Sequence, residues 1–161
     1  MANHSPLDPS KGVALYTDGS SDSRDKSGGW AWVAFDAFAG EMCDSGGASG
    51  TTNNRMEMTA WIEGLQELFL LFGACCVIVY SDSEYVGLGA MDRSRNRNKN
   101  KDLWQQLDRV IDDHSYVEFN HVKGHKDDTV NNIVDKMAGE ARKAYRDELK
   151  EKDEPSTTTQ S

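Results

Sequence analysis

Apolar residues recur every three or four positions between residues 54 and 72, which is the spacing of one buried face of an α-helix. The stripe consists of Met58, Trp61, Ile62, Leu65, Leu68, Phe69 and Phe72. Similar patterns predict a short helix after residue 83, a helix over 101–114 and a last helix that begins near residue 128. The chain is therefore predicted to contain four helices.

Short apolar runs bounded by turn residues predict five strands. They cover 12–20, two strands within 28–47 with a turn near Ala39-Gly40, 76–80, and a strand that starts at Tyr116. The element order is thus βββ-α-β-α-α-β-α. Strands joined by short turns pair antiparallel, and strands joined through helices pair parallel. The order predicts an α/β fold with a mixed five-stranded sheet, three antiparallel strands followed by two parallel ones, and helices on both faces.

The length of 161 residues suits a single domain. We expect this domain to cover 12–148, between a flexible N-terminus at 1–11 and a disordered acidic and polar tail at 149–161. No apolar run approaches the roughly 20 residues of a membrane span, and the N-terminus lacks the pattern of a secretory signal. The three cysteines are odd in number and two are adjacent, so we expect reduced thiols in a cytoplasmic setting. We also expect the protein to be a monomer.

The formal net charge of −9 argues by itself against a nucleic-acid partner, because phosphates repel an acidic surface. The charge is unevenly distributed, however. The segment RSRNRNKNK, residues 93–101, holds five cations in nine residues. We call it the basic segment. Because of this segment, binding to nucleic acid is not excluded by the overall negative charge.

Four carboxylates stand out from the pattern. Asp18 and Asp82 follow apolar runs at the ends of predicted strands, where open α/β sheets place their ligand sites. Glu57 lies near the start of the first long helix, and Asp135 lies on the last helix one turn after Asn131. Any one of them alone fits a structural turn or cap. The four together are harder to explain by local structure.

Several carboxylates in one cleft repel each other unless cations bind them, and sites with only oxygen ligands select Mg²⁺ or Mn²⁺. Two such ions about 3.5–4 Å apart form the usual device for hydrolysing phosphodiesters. The sequence has no His/Cys spacing typical of zinc, no Gly-rich Walker loop and no GxSxG motif. The residues therefore favour a metal-dependent reaction on phosphate esters.

Four blocks of sequence resemble the signature blocks of ribonuclease H of the bacterial type 1 class. They are YTDGS, TNNRMEMTA, YSDSEYV, and HVKGH followed by NNIVDKMA; they occur in that family's order and cover roughly residues 12–145. The resemblance implies the RNase H-like fold, with the first and fourth strands adjacent. It also implies endonucleolytic cleavage of the RNA strand of RNA–DNA hybrids, which leaves 5′-phosphate and 3′-hydroxyl ends.

The resemblance also implies roles for the carboxylates. It makes Asp18, Glu57, Asp82 and Asp135 the ligands of two Mg²⁺ ions, with Mn²⁺ as a possible substitute and with Asp18 bridging both ions. Glu57 would in addition meet a ribose 2′-hydroxyl, the group by which a protein distinguishes RNA from DNA.

Five further residues acquire roles only through the resemblance. His125 corresponds to a mobile-loop histidine that helps the product to leave or shuttles a proton, and Asn131 supports the site. Thr52, Asn53 and Asn54 correspond to residues that contact the hybrid, at a phosphate of the DNA strand and in the minor groove. Without the resemblance, Thr52–Asn54 would be explained as a helix N-cap and His125 as an exposed loop residue.

The sequence departs from the family pattern in three places. The loop after Asp18 carries Arg24 where a small or Asn-containing pattern is usual, which puts the contacts of that loop in doubt. Glu84 adds a negative charge beside the site. The family's basic handle is trimmed to the basic segment, which is either a shortened handle or a solvated loop.

Two alternatives remain beside this interpretation. One is a related nuclease or strand-transfer enzyme of the same fold, which would share scattered acids but not NNRME together with VKGH. The other is a non-catalytic binding or scaffolding module that has lost acids, against which the presence of all four carboxylates argues.

Overall fold

A computed structural model of the chain describes residues 7–123 and 129–153. Within these residues the elements follow the predicted order after a short 3₁₀ turn, Pro9–Lys11. The strands are β1 (Val13–Ser21), β2 (Gly28–Phe35), β3 (Glu41–Ala48), β4 (Cys76–Ser81) and β5 (Tyr116–His121). The helices are α1 (Asn53–Phe72), α2 (Glu84–Met91), α3 (Lys101–Asp113) and α4 (Thr129–Asp153).

The five strands form one sheet in the order β3-β2-β1-β4-β5. β2 pairs antiparallel with β1 and β3, whereas β4 pairs parallel with β1 and β5. The mixed sheet and the adjacency of the first and fourth strands are thereby confirmed. The parallel pairing of β1 with β4 ends at Tyr16 and Tyr80, so Asp18 and Asp82 both lie just beyond the last paired residues. This edge of the sheet brings the two acids to the same level.

The two faces of the sheet are covered by different helices. Alternate residues of a strand point to opposite faces. In β2, Trp32 belongs to the main core, which is shared with α1 and α3, while Ala31 and Val33 pack with Val134 and Ala138 of α4. The fully buried members of the main core include Leu15, Trp61, Leu65, Leu68, Val77, Val79, Val86 and Leu107. The prediction of helices on both faces is therefore confirmed.

Helix α4 lies unusually close to β2 at Gly29. A Cβ atom at this position would lie 2.2 Å from the Ala138 carbonyl oxygen, so a side chain there would push the helix away. Because α4 carries Asp135, this contact fixes how near that carboxylate comes to the end of β1.

The ends of the described structure differ from the predicted boundaries at residues 12 and 148. Leu7 is buried with the main core, and Asp8 caps the 3₁₀ turn by accepting a hydrogen bond from the Ser10 amide. At the other end α4 continues to Asp153. Cys43, Cys75 and Cys76 are free. Across the described ranges, no helix combines the length and the apolar character needed to cross a membrane.

Candidate active site

Three carboxylates from distant parts of the sequence meet at one edge of the sheet. Asp18 comes from β1, Glu57 from the first turns of α1, and Asp82 from the residue after β4. One oxygen of each lies within 4.8 Å of the others. Asp18 and Glu57 are buried, with 4% and 8% of their surface exposed, and Asp82 is open to solvent. This group, which we call the carboxylate cluster, contains three of the four predicted acids.

Glycine at position 19 allows β1 and α1 to approach closely enough to form this cluster. A Cβ atom on Gly19 would lie 2.3 Å from the backbone nitrogen of Glu57 and 2.4 Å from the carbonyl carbon of Met56. The Gly19 amide also donates a hydrogen bond to the Glu57 carboxylate. A structural turn was the simpler explanation for Asp18 taken alone, but β1 continues through Thr17-Asp18-Gly19 to Ser21, and the glycine serves the contact with α1.

Burial dominates the electrostatics of the cluster. It raises the pKa of Asp18 to about 7, with further increases from the charges of Asp82 and Asp135. Burial also raises the pKa of Glu57 well above its ordinary value, and the neighbouring charge of Asp18 adds to this. Asp82 is exposed as a residue, but its carboxyl group is partly desolvated by the neighbouring atoms, and this and the charge of Asp135 raise its pKa. Each carboxylate is thus more costly to ionise here than in water, unless a cation is present.

The residues fit a hard divalent cation. Oxygen Oε2 of Glu57 is buried and has no hydrogen-bond partner within the described residues. An unpaired buried carboxylate oxygen is costly, and a bound cation relieves both this cost and the repulsion between the acids. The donor atoms are all carboxylate oxygens, which suit Mg²⁺ or Mn²⁺ better than softer metals.

Asp135 borders the cluster without belonging to its compact group. It lies on α4 and is exposed, and it interacts with both Asp18 and Asp82, whose pKa values it raises. Asn131, one turn earlier, is buried with 5% of its surface exposed. Asp135, the fourth predicted acid, therefore faces the same site from α4, which covers the face of the sheet opposite to α1. His125 lies outside the described residues.

The start of α1 has the N-cap that the simpler explanation predicted. The Thr52 hydroxyl accepts a hydrogen bond from the Arg55 amide at 3.3 Å. Asn53 Oδ1 accepts hydrogen bonds from the amide and hydroxyl of Ser21, at 2.7 and 3.0 Å, and so ties α1 to the end of β1. Asn54 is exposed. Two of the three predicted hybrid-contacting residues thus also have structural partners, and all three lie on the surface beside Glu57.

His121 was missed in the sequence and lies at the same edge of the sheet. It ends β5 opposite Ser81, and its Nδ1 atom lies 3.7 Å from Oε1 of Glu84. His121 also lowers the pKa of Asp82, against the larger effect of burial. The signal that identified Asp18 and Asp82, a polar residue at the end of a strand, was present here too. Glu84, predicted as an added negative charge, faces this histidine.

Arg24 lies in the β1–β2 loop with 86% of its side chain exposed, and it forms an ion pair with Asp22 at 2.9 Å. Asp22 accepts hydrogen bonds from both the backbone and the side chain of Arg24, which hold its pKa below the usual range. Arg24, the residue that departs from the family pattern in this loop, is thus paired with an aspartate of the same loop.

The basic segment is divided between structural and free cations. Arg97 pairs with Asp108 at 2.6 Å, donates to the Gly89 carbonyl at 2.6 Å, and stacks 4.5 Å above the ring of Trp104. Arg93 pairs with Asp112 at 2.6 Å. The other cations of the segment, Arg95, Lys99 and Lys101, have no ion pair within the described parts of the chain. The sequence did not distinguish these two groups.

The fold and the carboxylate cluster together define a mixed α/β domain with a candidate site for hard metal ions. The sequence model of the family described as RNase H matches residues 10–143. The chain is 40% identical over 151 residues to "Ribonuclease H" of Rhodopirellula baltica, an alignment that covers 84% of this chain and 93% of that protein. The chain belongs to the RNase H family.

Solved structures agree with this fold. The N-terminal RNase H domain of a Mycobacterium tuberculosis protein superposes with a TM-score of 0.74 at 21% identity, covering 85% of this chain and 97% of that one. LC11-RNase H1, solved in complex with an RNA/DNA hybrid, superposes with a TM-score of 0.72 at 20% identity and covers 83% of this chain and 99% of that one.

Proposed function

We propose that the protein is an endonuclease that hydrolyses the RNA strand of RNA–DNA hybrids and leaves 5′-phosphate and 3′-hydroxyl ends. The observation that carries this proposal is the carboxylate cluster, in which Asp18, Glu57 and Asp82 converge and a buried oxygen of Glu57 has no hydrogen-bond partner among the described residues. Membership in the RNase H family supports the same reaction.

The acids of the site would hold divalent cations, in our proposal two Mg²⁺ ions that Mn²⁺ can replace. Such cations supply charge stabilisation to the reacting oxygens of a phosphodiester and a nucleophilic water at neutral pH. Asp18 and Glu57 are fixed by burial, so they present their oxygens with little rearrangement. Asp82 and Asp135 are exposed and approach Asp18 and Glu57 from the end of β4 and from α4, which leaves the solvent side open for a phosphate group.

The surface beside Glu57 would bind the hybrid. Asn54 is exposed there, and Thr52 and Asn53 lie next to it at the start of α1. We propose that Glu57 also accepts a hydrogen bond from a ribose 2′-hydroxyl, which selects the RNA strand. Contacts in the minor groove carry little sequence information, so base sequence should matter little.

Other parts of the proposal concern the loop and the state of the protein. We propose that His125 assists product departure or proton transfer and that Asn131 supports Asp135. All the acids of the site come from one chain, which is consistent with activity as a monomer. The three free cysteines are consistent with a cytoplasmic location.

A non-catalytic binding module of the same fold is the alternative. Such a module would have no use for two buried carboxylates at high electrostatic cost, one of them with an unpaired oxygen. This cost is accounted for if the site binds cations for a reaction.

The test is cleavage of four end-labelled substrates of one sequence: the RNA–DNA hybrid, double-stranded RNA, double-stranded DNA and single-stranded RNA. We expect the RNA strand of the hybrid alone to be cut, with Mg²⁺ or Mn²⁺ and not with EDTA. Binding of the hybrid without cleavage under any of these metal conditions would favour the non-catalytic module, and cleavage of DNA would favour a related nuclease.

A further inference from the structure

Arg55 connects the start of α1 to the far end of the basic segment. Its two terminal nitrogens donate to both oxygens of Asp102, at 3.0 and 2.7 Å, in the parallel geometry that carboxylates form with arginine. One of these nitrogens also donates to Oδ1 of Asn100 at 3.2 Å. The amide nitrogen of Asn100 in turn donates to the Tyr85 hydroxyl at 3.2 Å. Three helix starts, those of α1, α2 and α3, are thereby joined; we call this set of contacts the Arg55 clamp.

Asn100 contributes to the Arg55 clamp from an uncommon backbone conformation. Its backbone is left-handed, with φ 60° and ψ 35°, a region that is uncommon for residues other than glycine and that asparagine adopts more readily than most. It occupies the N-cap position of α3, where asparagine normally accepts a hydrogen bond from the helix, yet its side chain makes no such bond. The side chain is directed to Arg55 and Tyr85 instead, which indicates that the clamp has a role beyond starting α3.

The clamp does more than add stability. The side chains of Arg55 and Asp102 are 32% and 58% exposed, so solvent screens the pair, and its two-pronged geometry contributes a modest amount to folding. What the clamp fixes is position. Lys99 and Lys101, which flank Asn100, are both exposed. Arg55 lies two residues before Glu57 and next to Asn54.

We propose that Arg55 is a positioning residue that sets the distance between the free lysines of the basic segment and the carboxylate cluster. This inference rests on the proposed function. Lys99 and Lys101 would bind phosphates of the hybrid, and the clamp would hold them at a constant offset from the bond that is cut. Arg97 secures the front of the segment on α3 through Asp108, and the clamp secures its end on α1.

Two pairs of variants test the proposal with matched charge. Arg55→Lys keeps the charge but cannot form the two-pronged bond, and Arg93→Lys is its control at the other end of the segment. Asp102→Asn and Asp112→Asn each remove one exposed carboxylate of α3 that pairs with an arginine. Within each pair the change in net charge is the same, so long-range attraction to the hybrid changes equally.

The measurements are steady-state cleavage of a long hybrid and the distribution of cuts on a short end-labelled hybrid. We expect KM to rise about fivefold for Arg55→Lys and Asp102→Asn with kcat held, well inside the roughly 100-fold that a misplacement of about 1 Å can cost. On the short hybrid these two variants should cut closer to the duplex end than the unmodified protein does. In the unmodified protein the lysines must contact duplex at a fixed distance from the bond that is cut, and without the clamp this distance is no longer fixed. The two controls should keep the original KM and cut distribution.

Three results would overturn the proposal while the unmodified protein still cleaves hybrid. One is an unchanged cut distribution in all four variants. Another is an equal change in Asp102→Asn and Asp112→Asn. The third is weaker binding by Arg55→Lys with tighter binding by Asp102→Asn, since this would make Arg55 itself a contact to the hybrid. Failure of the unmodified protein to cleave hybrid would instead contradict the proposed function.

Discussion

At the residue scale, the carboxylate cluster makes the free protein sensitive to pH. The pKa of Asp18 is about 7 in the folded state, compared with a value near 3.8 in the unfolded chain. When a pKa is raised by folding, its contribution to stability is fully present below the unfolded value and is lost as the pH rises to the folded value. Asp18 should therefore destabilise the metal-free protein increasingly between about pH 4 and pH 7.

The prediction concerns thermal melts in EDTA. Between pH 5 and pH 8 the Tm should fall by about 5 °C or more, and Asp18→Asn should reduce this fall because an amide does not ionise and no longer repels Glu57. Added Mg²⁺ should restore the Tm of the unmodified protein at pH 8 but not that of the variant. If both proteins had the same pH profile, Asp18 would not be the source of the effect.

His125 and Asp82 should differ in how much of the activity depends on them. His125→Ala should lower turnover by about 100-fold and leave residual activity, since loss of a group that transfers a proton has an effect of this size. Asp82→Asn should remove activity almost entirely, because it weakens the binding of the cation itself. Steady-state kinetics on both variants, with melts as a folding control, measures the difference. Equal and complete loss in both would place His125 within the essential metal chemistry.

At the element scale, the basic segment combines cations that are held by partners in the fold with cations that we propose bind the hybrid. Arg97 is 15% exposed and is held by an ion pair, a backbone carbonyl and an indole ring, whereas Lys99 and Lys101 are exposed. The charge pattern of the sequence makes the five cations look alike. The aspartates that bind Arg93 and Arg97 lie on the next helix, and sequence alone does not show which cations they reach.

Two multiple variants separate these roles. Changing Arg95, Lys99 and Lys101 to Gln should weaken hybrid binding and reduce its salt slope by about one for each phosphate that is no longer neutralised, with the Tm unchanged. Changing Arg93 and Arg97 to Gln should lower the Tm by about 5 °C, since this removes a largely buried ion pair and a cation–π interaction. Filter binding at several salt concentrations and thermal melts are the measurements. An unaltered salt slope in the first variant would mean that these three cations do not contact phosphates of the hybrid.

Elements with strong periodicity could be predicted from the sequence. The apolar stripe of α1 and the alternation of short strands specify one buried face each, and this gives the element order and the mixed sheet. Close approaches could not be predicted in the same way. Gly19 lets α1 pack close to the sheet, and Gly29 does the same for α4. The need for glycine at these positions becomes clear only from the position of the helix backbone.

The same limit applies to the site. The sequence pattern placed Asp18 and Asp82 at the ends of apolar strand segments, the family resemblance made those two strands neighbours, and Glu57 was assigned through the family motif. The partner of Arg55 could not be predicted, since Asp102 lies 47 positions away on another helix. Asn53 was expected at the hybrid surface or in a helix N-cap, and its bonds to Ser21 depend on how α1 meets β1.

At the scale of the whole molecule, a net charge of −9 coexists with a site for a polyanion. The acids of the cluster account for part of this charge, and bound cations would reverse its sign where the phosphate must lie. The free cations of the basic segment are held beside the same edge through Arg55. The acidic composition argued against nucleic acid only so long as the charges were averaged over the chain.

The central claim is that the carboxylate cluster performs metal-dependent cleavage of the RNA strand of a hybrid. The most direct measurement is the cleavage rate of one end-labelled hybrid in Mg²⁺ by the unmodified protein, by Asp18→Asn, and by Asp44→Asn, which alters an exposed acid of β3 outside the cluster. We predict a loss of at least about 1000-fold for Asp18→Asn and no loss for Asp44→Asn. Cleavage by a correctly folded Asp18→Asn at a rate near that of the unmodified protein would contradict the account.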